Sequence, residues 1–78
     1  MAAAVPSEQR MANQIATNLR HQSADQAAET LAGHIQRFWD PRMRARLFEL
    51  VDAGADGLDP VVVAGARLLQ KAQEERVG

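Results

Sequence analysis

An all-α fold, a small four-helix bundle or orthogonal helical array, is predicted from three features of these 78 residues. Alanine is abundant and aromatics make up only 4% of the chain, which favours helices over strands. Apolar residues recur at three- and four-residue spacings along four segments. The dipeptide Asp-Pro appears twice, as Asp40-Pro41 and Asp59-Pro60. The aspartate accepts from a free amide of a first helical turn, and the proline supplies a preset φ where no amide is needed.

The first helix is expected over about 8–21. Ser7 is its candidate N-cap, and Glu8 is well placed against the helix dipole. Met11, Ile15 and Leu19 form the predicted inner stripe, with Ala12 and Ala16 beside it. The second is expected over 24–39. Ser23 and Gln26 match a capping box, and Ala28, Leu31, Ala32, Ile35 and Trp39 form the stripe, with Phe38 on its edge. Gly33 interrupts this helix and marks a candidate close helix crossing.

The third helix is expected over 41–53. A residue before proline is driven out of the α region, so the second helix must stop near Trp39. Met43, Leu47, Leu50 and Val51 are its inner positions, Phe48 flanks them, and Gly54 is the expected C′ residue. Ala55-Asp56-Gly57-Leu58 reads as a turn, with Leu58 plugging the end of the array. The fourth helix is expected over 60–75, with Arg76-Val77-Gly78 frayed. Val61, Val62, Gly65, Ala66, Leu68, Leu69 and Ala72 cover an arc wide enough to touch more than one neighbour. The short connections favour sequence neighbours packed roughly antiparallel in a single domain, 1–78.

Composition restricts function. A chain this short buries only about 60–65% of its unfolded surface, and its radius of gyration should be about 11–12 Å. No enclosed active site fits comfortably inside. Cysteine is absent, which removes disulfides, thiolate nucleophiles and iron–sulfur ligation by this chain. His21 and His34 stand in no metal-ligand spacing, and Asp40 and Asp59 read as caps rather than catalytic acids. No catalytic, cofactor-binding or metal residue is assigned. Nine basic against ten acidic residues leave a net charge of −1, which offers no general footprint for nucleic acid. Residues 1–6 are too short and lack the basic residues of a signal peptide, and no apolar run approaches a membrane span. A cytoplasmic location is the expectation.

The residues that stand out surround one corner, Phe38-Trp39-Asp40-Pro41-Arg42-Met43-Arg44, which contains the single tryptophan. Trp39 reads first as a core anchor between the second and third helices, and alternatively as a partner-facing hot spot. Arg42 and Arg46 are neighbours at i, i+4, while Arg44 points about 160–200° away from them. Charges on a small helix usually form a solvated face. A like-charged i, i+4 pair nevertheless calls for an acidic group nearby, from Glu49 or from a partner. Phe38, Trp39, Arg42, Arg44 and Arg46 are therefore the candidate partner interface.

Several strings in order also carry a resemblance. Met11-Ala-Asn-Gln-Ile-Ala16, His34-Ile35, Phe38 to Arg44, Leu50-Val51-Asp52-x-Gly54 and Gly57-Leu58-x-Pro60-x-Val62 resemble the delta subunit of NAD-dependent formate dehydrogenase. The similarity covers about residues 10 to 66, and its most specific part is the Phe-Trp-Asp-Pro-Arg-Met-Arg string. One departure is Asn18-Leu19, where family members often carry aromatics. The resemblance implies a cofactor-free accessory subunit of a cytoplasmic molybdenum- or tungsten-containing formate dehydrogenase. The larger subunits would hold the metal–pterin, iron–sulfur clusters, flavin and NAD site. It implies those larger subunits as partners and a role in assembly or stability. Two alternatives remain open from the residues alone: a small nucleic-acid-binding regulator using Arg42 and Arg46, and a self-associating module that dimerises when isolated.

Overall fold

The second helix is the centre of the molecule because its apolar stripe is the most regular in the chain. In the computed structural model, which describes residues 5–77, four helices follow one another: α1 Ser7–Asn18, α2 Ala24–Phe38, α3 Pro41–Asp52 and α4 Pro60–Val77. Residues 1–4 and 78 lie outside this description, and α4 continues to Val77, through two of the three residues expected to fray. Ala28, Leu31, Ala32, Ile35 and Trp39 are all buried, as the spacing predicts. The Ser23 hydroxyl accepts from the Gln26 amide at 3.2 Å and starts the helix.

Leu31, Ile35, Leu47 and Val62 are fully buried, and with Ala66, Leu69 and Val51 they make one core drawn from three helices. α1 adds only Ala12 and Ala16 as fully buried side chains, with Ile15 and Leu19 packed partly against the same cluster. Met11 was expected on the inner stripe but is 44% exposed. Strict four-residue spacing drifts around a 3.6-residue helix, and the small alanines let α1 approach so closely that they, not Met11, occupy the contact line.

The helix starts follow the chemistry of their caps, with one correction. Asp40 Oδ1 accepts from the Met43 amide, and Asp59 Oδ1 from the Val61 amide, both at 2.9 Å. Ser7 is not the cap of α1: Pro6 holds that position with φ −56° and ψ 142°, without a side-chain cap bond. The Pro6 carbonyl accepts from Arg10 at 3.2 Å, which pulls Ser7 into the first turn. α1 also ends earlier than expected, because the Leu19 amide turns back to the Ala16 carbonyl at 3.0 Å and tightens the last turn. α3 closes on Gly54 at φ 120°. The Gly54 amide donates to Val51 O at 3.2 Å and Ala55 to Leu50 O at 3.1 Å, a Schellman ending.

Two expectations about packing are corrected. The closest crossing is at Gly65, not Gly33: a Cβ on Gly65 would lie 2.6 Å from Leu31 Cδ2 and 3.1 Å from the Ala28 carbonyl, whereas one on Gly33 would meet nothing within 4 Å. The most extensive packing, between α2 and α4, also joins helices that are not neighbours in sequence. Gly65 sits against Ala28 and Leu31, and further along Leu69, Ala72 and Gln73 share a cleft with Gln36. Residue numbers rise together on both helices, so α2 and α4 run in the same direction. The wide apolar arc of α4 meets α2, α3 and α1, but not over its whole width: Val62, Gly65, Ala66 and Leu69 are buried, whereas Leu68 is 43% exposed and Ala72 is exposed.

α1 is fastened to the other end by amides. Asn13 Nδ2 donates to Gly57 O at 2.8 Å, its Oδ1 accepts from the Asp59 amide at 2.9 Å, and Gln9 Nε2 donates to Gly57 O at 3.3 Å. These bonds hold the 53–59 connection in place, with Leu58 packed on the core below it. The radius of gyration is 12.1 Å, at the upper edge of the value expected from chain length.

Candidate partner interface

The α2–α3 corner is built by sequence rules that leave little freedom. Pro41 forces Asp40 out of helical geometry, to ψ 168°, and Trp39 before it is extended as well, with ψ 138°. The Trp39 amide still donates to Ile35 O at 2.9 Å, so α2 closes on the residue whose indole fills the core. That indole is 4% exposed. Trp39 is therefore the anchor of the corner, with its side chain buried in the core.

Arg44 completes the corner from the other side. Its Nη1 donates to the Trp39 carbonyl at 2.9 Å and to the Gln36 carbonyl at 3.3 Å. These are carbonyls that α2 leaves unpaired at its C-terminus, where a cation is also favoured by the helix dipole. Arg44 faces the cleft beside α4 with Gln36, Leu69 and Gln73, whereas Arg42 and Arg46 are exposed. Arg46 pairs with Glu49 at 3.4 Å, with the two side chains 49% and 68% exposed. Solvent screening leaves such a pair worth little.

Phe38 is 70% exposed, the most exposed large apolar side chain among the described residues. Its ring lies against His34, with centroids 4.8 Å apart and planes tilted by 41°. The two rings form one wall of a shallow groove along the outer side of α2, lined by Glu29, Thr30, Gly33, His34, Arg37 and Phe38. The five candidate residues thus divide. Phe38, Arg42 and Arg46 present themselves to solvent, while Trp39 and Arg44 hold the corner together. Sequence reasoning passed over Arg37 and the outward role of Gly33. Two interleaved i, i+4 ladders, Glu29–Gly33–Arg37 and Thr30–His34–Phe38, were the available signal.

The chain has no cysteine, and no cluster of three or more His, Asp or Glu among the described residues is placed to hold a metal ion. Among the described residues no helix is long and apolar enough to cross a membrane. The clefts that line these faces are open and shallow.

Comparison with known proteins agrees with the resemblance read from the sequence. The family model of the NADH-dependent formate dehydrogenase delta subunit, FdsD, matches residues 10–66. No curated protein and no solved structure gives a significant match. The matched span runs from the first turn of α1, through the Phe38–Arg44 corner and the Asn13-held connection, to the Gly65 crossing. This chain belongs to the formate dehydrogenase delta subunit family.

Proposed function

We propose that this chain is a non-catalytic accessory subunit that binds the larger subunits of a cytoplasmic, NAD-dependent, molybdenum- or tungsten-containing formate dehydrogenase and supports its assembly or stability. The observation that carries this reading is the family match over residues 10–66. It is supported by the distribution of the side chains. Leu31, Ile35, Leu47 and Val62 close one core, and the titratable groups stand on outer faces or act as caps. The docking surface is the α2–α3 corner, with Phe38, Arg42 and Arg46 outward and Trp39 and Arg44 keeping them in register.

The test is co-purification from native cells grown with formate, using tagged chain, paired with a deletion strain. Recovery of the larger dehydrogenase subunits, and loss of assembled active enzyme on deletion, is the expected result. If the tagged chain retains no dehydrogenase subunit and deletion leaves the enzyme intact and active, the proposal fails.

A further inference from the structure

We infer that α1 is a hinged lid on the core, latched by Asn13 to the 53–59 connection, and that it opens as a unit while α2, α3 and α4 stay packed.

The first ground is how little of α1 is sunk in the core. The helix packs against α2, α3 and α4, so it closes one side of the molecule. Its fully buried side chains are Ala12 and Ala16, a single methyl each, whereas the other helices bury Leu31, Ile35, Leu47, Val62 and Leu69. Ile15 packs only partly against that cluster. The ends of α1 add little support: Pro6 makes no side-chain cap bond, and the last turn carries no basic residue. A 12-residue helix with such ends is marginal by itself, so it stays helical only while it is docked.

The second ground is where its directional bonds go. Among the described residues, every side-chain hydrogen bond from α1 to another part of the fold ends on Gly57 or Asp59. Asn13 Nδ2 donates to the Gly57 carbonyl at 2.8 Å, and Asn13 Oδ1 accepts from the Asp59 amide at 2.9 Å. Gln9 Nε2 adds a longer bond to the same carbonyl at 3.3 Å. The connection they grip needs holding. Ala55 has φ 61°, which a residue with a Cβ rarely adopts, and such backbone persists only where its surroundings fix it. The Asp59 amide donates to a side chain of α1, so it loses its acceptor whenever α1 lifts. The cap of α4, Asp59 Oδ1 on the Val61 amide, does not involve α1 and survives the opening.

The third ground is the hinge. After α1 the chain turns tightly, with the Leu19 amide donating to Ala16 O and the Gln22 amide to Leu19 O, both at 3.0 Å. Gln22 Oε1 accepts from Thr30 Oγ1 of α2 at 3.0 Å, which fixes the far side of the turn. Arg20 and His21 between them are exposed and can absorb the change in backbone angles.

The experiment is native-state hydrogen exchange of the full free chain, read by NMR in rising but sub-denaturing urea, and it does not depend on the accessory-subunit reading. The amides of Ala12 to Asn18 and that of Asp59 should share one shallow urea slope. They should exchange about tenfold or more faster than those of Leu31, Ile35 and Ala66, whose steeper slope is that of global unfolding. Asn13→Ala cuts the latch and should speed the α1 amides by about tenfold. Asp40→Ala weakens the α2–α3 corner, which the open state keeps intact. It should speed the α2 and α4 amides by about fivefold and leave those of α1 and Asp59 unchanged. Circular dichroism checks that both variants fold. If the α1 amides share the rate and slope of α2 and α4, and all quicken together in Asp40→Ala, the chain opens in one step and the lid is overturned. If the α1 amides exchange one by one, with no slope in common with Asp59, the helix merely frays and the lid is overturned as well.

Discussion

The same substitution at two glycines should have opposite effects. In a helix interior, alanine is favoured over glycine by about 1 kcal/mol, partly because it restricts the unfolded chain. At Gly33 nothing opposes this gain, since an added Cβ meets no atom within 4 Å. At Gly65 it is opposed. The Cβ would come 2.6 Å from Leu31 Cδ2 and 3.1 Å from the Ala28 carbonyl oxygen. The leucine methyl is the end of a flexible side chain, but Leu31 is fully buried and has nowhere to turn, and the carbonyl belongs to a helix. Relieving the clash means separating α2 from α4, an overpacking cost of about 1–3 kcal/mol. The propensity gain is common to both sites and cancels in the comparison. The two variants should thus differ by about 1–3 kcal/mol, with Gly33→Ala the more stable. For a domain of this size each kcal/mol moves the melting temperature by about 4–8 °C. Thermal unfolding followed by circular dichroism at the helical band, with urea titration as a second measure, reads the difference directly. Equal increases in melting temperature for both variants would refute the close crossing as an energetic constraint.

Trp39→Ala should cost about 3–5 kcal/mol because it empties a core position, a large share of the total of about 4–12 kcal/mol for a chain of this length; urea unfolding should show a midpoint lowered by that loss divided by an m-value of about 1 kcal/mol/M. Asp40→Ala removes the acceptor for the Met43 amide at 2.9 Å and should cost about 1 kcal/mol, measured the same way. Glu49→Gln breaks the exposed pair with Arg46 and should change stability by less than about 0.5 kcal/mol, so a larger loss in a melting scan would mean Glu49 has a role beyond that pair.

Local structure was legible in the sequence wherever one residue's chemistry decided it. Asp40-Pro41, Asp59-Pro60, Ser23 and Gly54 each set a helix end at its expected place, because capping depends on atoms a few residues apart. The α2 stripe was equally plain. What was not legible depended on distance. Periodicity says which side of a helix is apolar, but not which helix covers it, so the same-direction pairing of α2 with α4 was hidden behind an expectation of antiparallel neighbours. Gly33 and Gly65 look alike as letters, and only the crossing separates them. Met11 was misplaced because closeness favoured the smaller Ala12 and Ala16. At the candidate interface, the opposition of Arg44 to Arg42 and Arg46 followed from helical angles, but its engagement with the Gln36 and Trp39 carbonyls needed the turn of the corner. Arg37 escaped notice because a single charge near a helix end has no pattern of its own.

The pairing of α2 with α4 has a consequence for synthesis. A chain leaving the ribosome exposes α2 well before its principal cover exists: Gly65 follows Leu31 by 34 residues, which is roughly 2–7 s at about 5–20 residues per second. During that interval Leu31 and Ile35 have only α1 and α3 to shelter them. Until α4 has followed, the apolar stripe of α2 lacks its principal cover, so any truncation that removes α4 leaves that stripe open to misassociation.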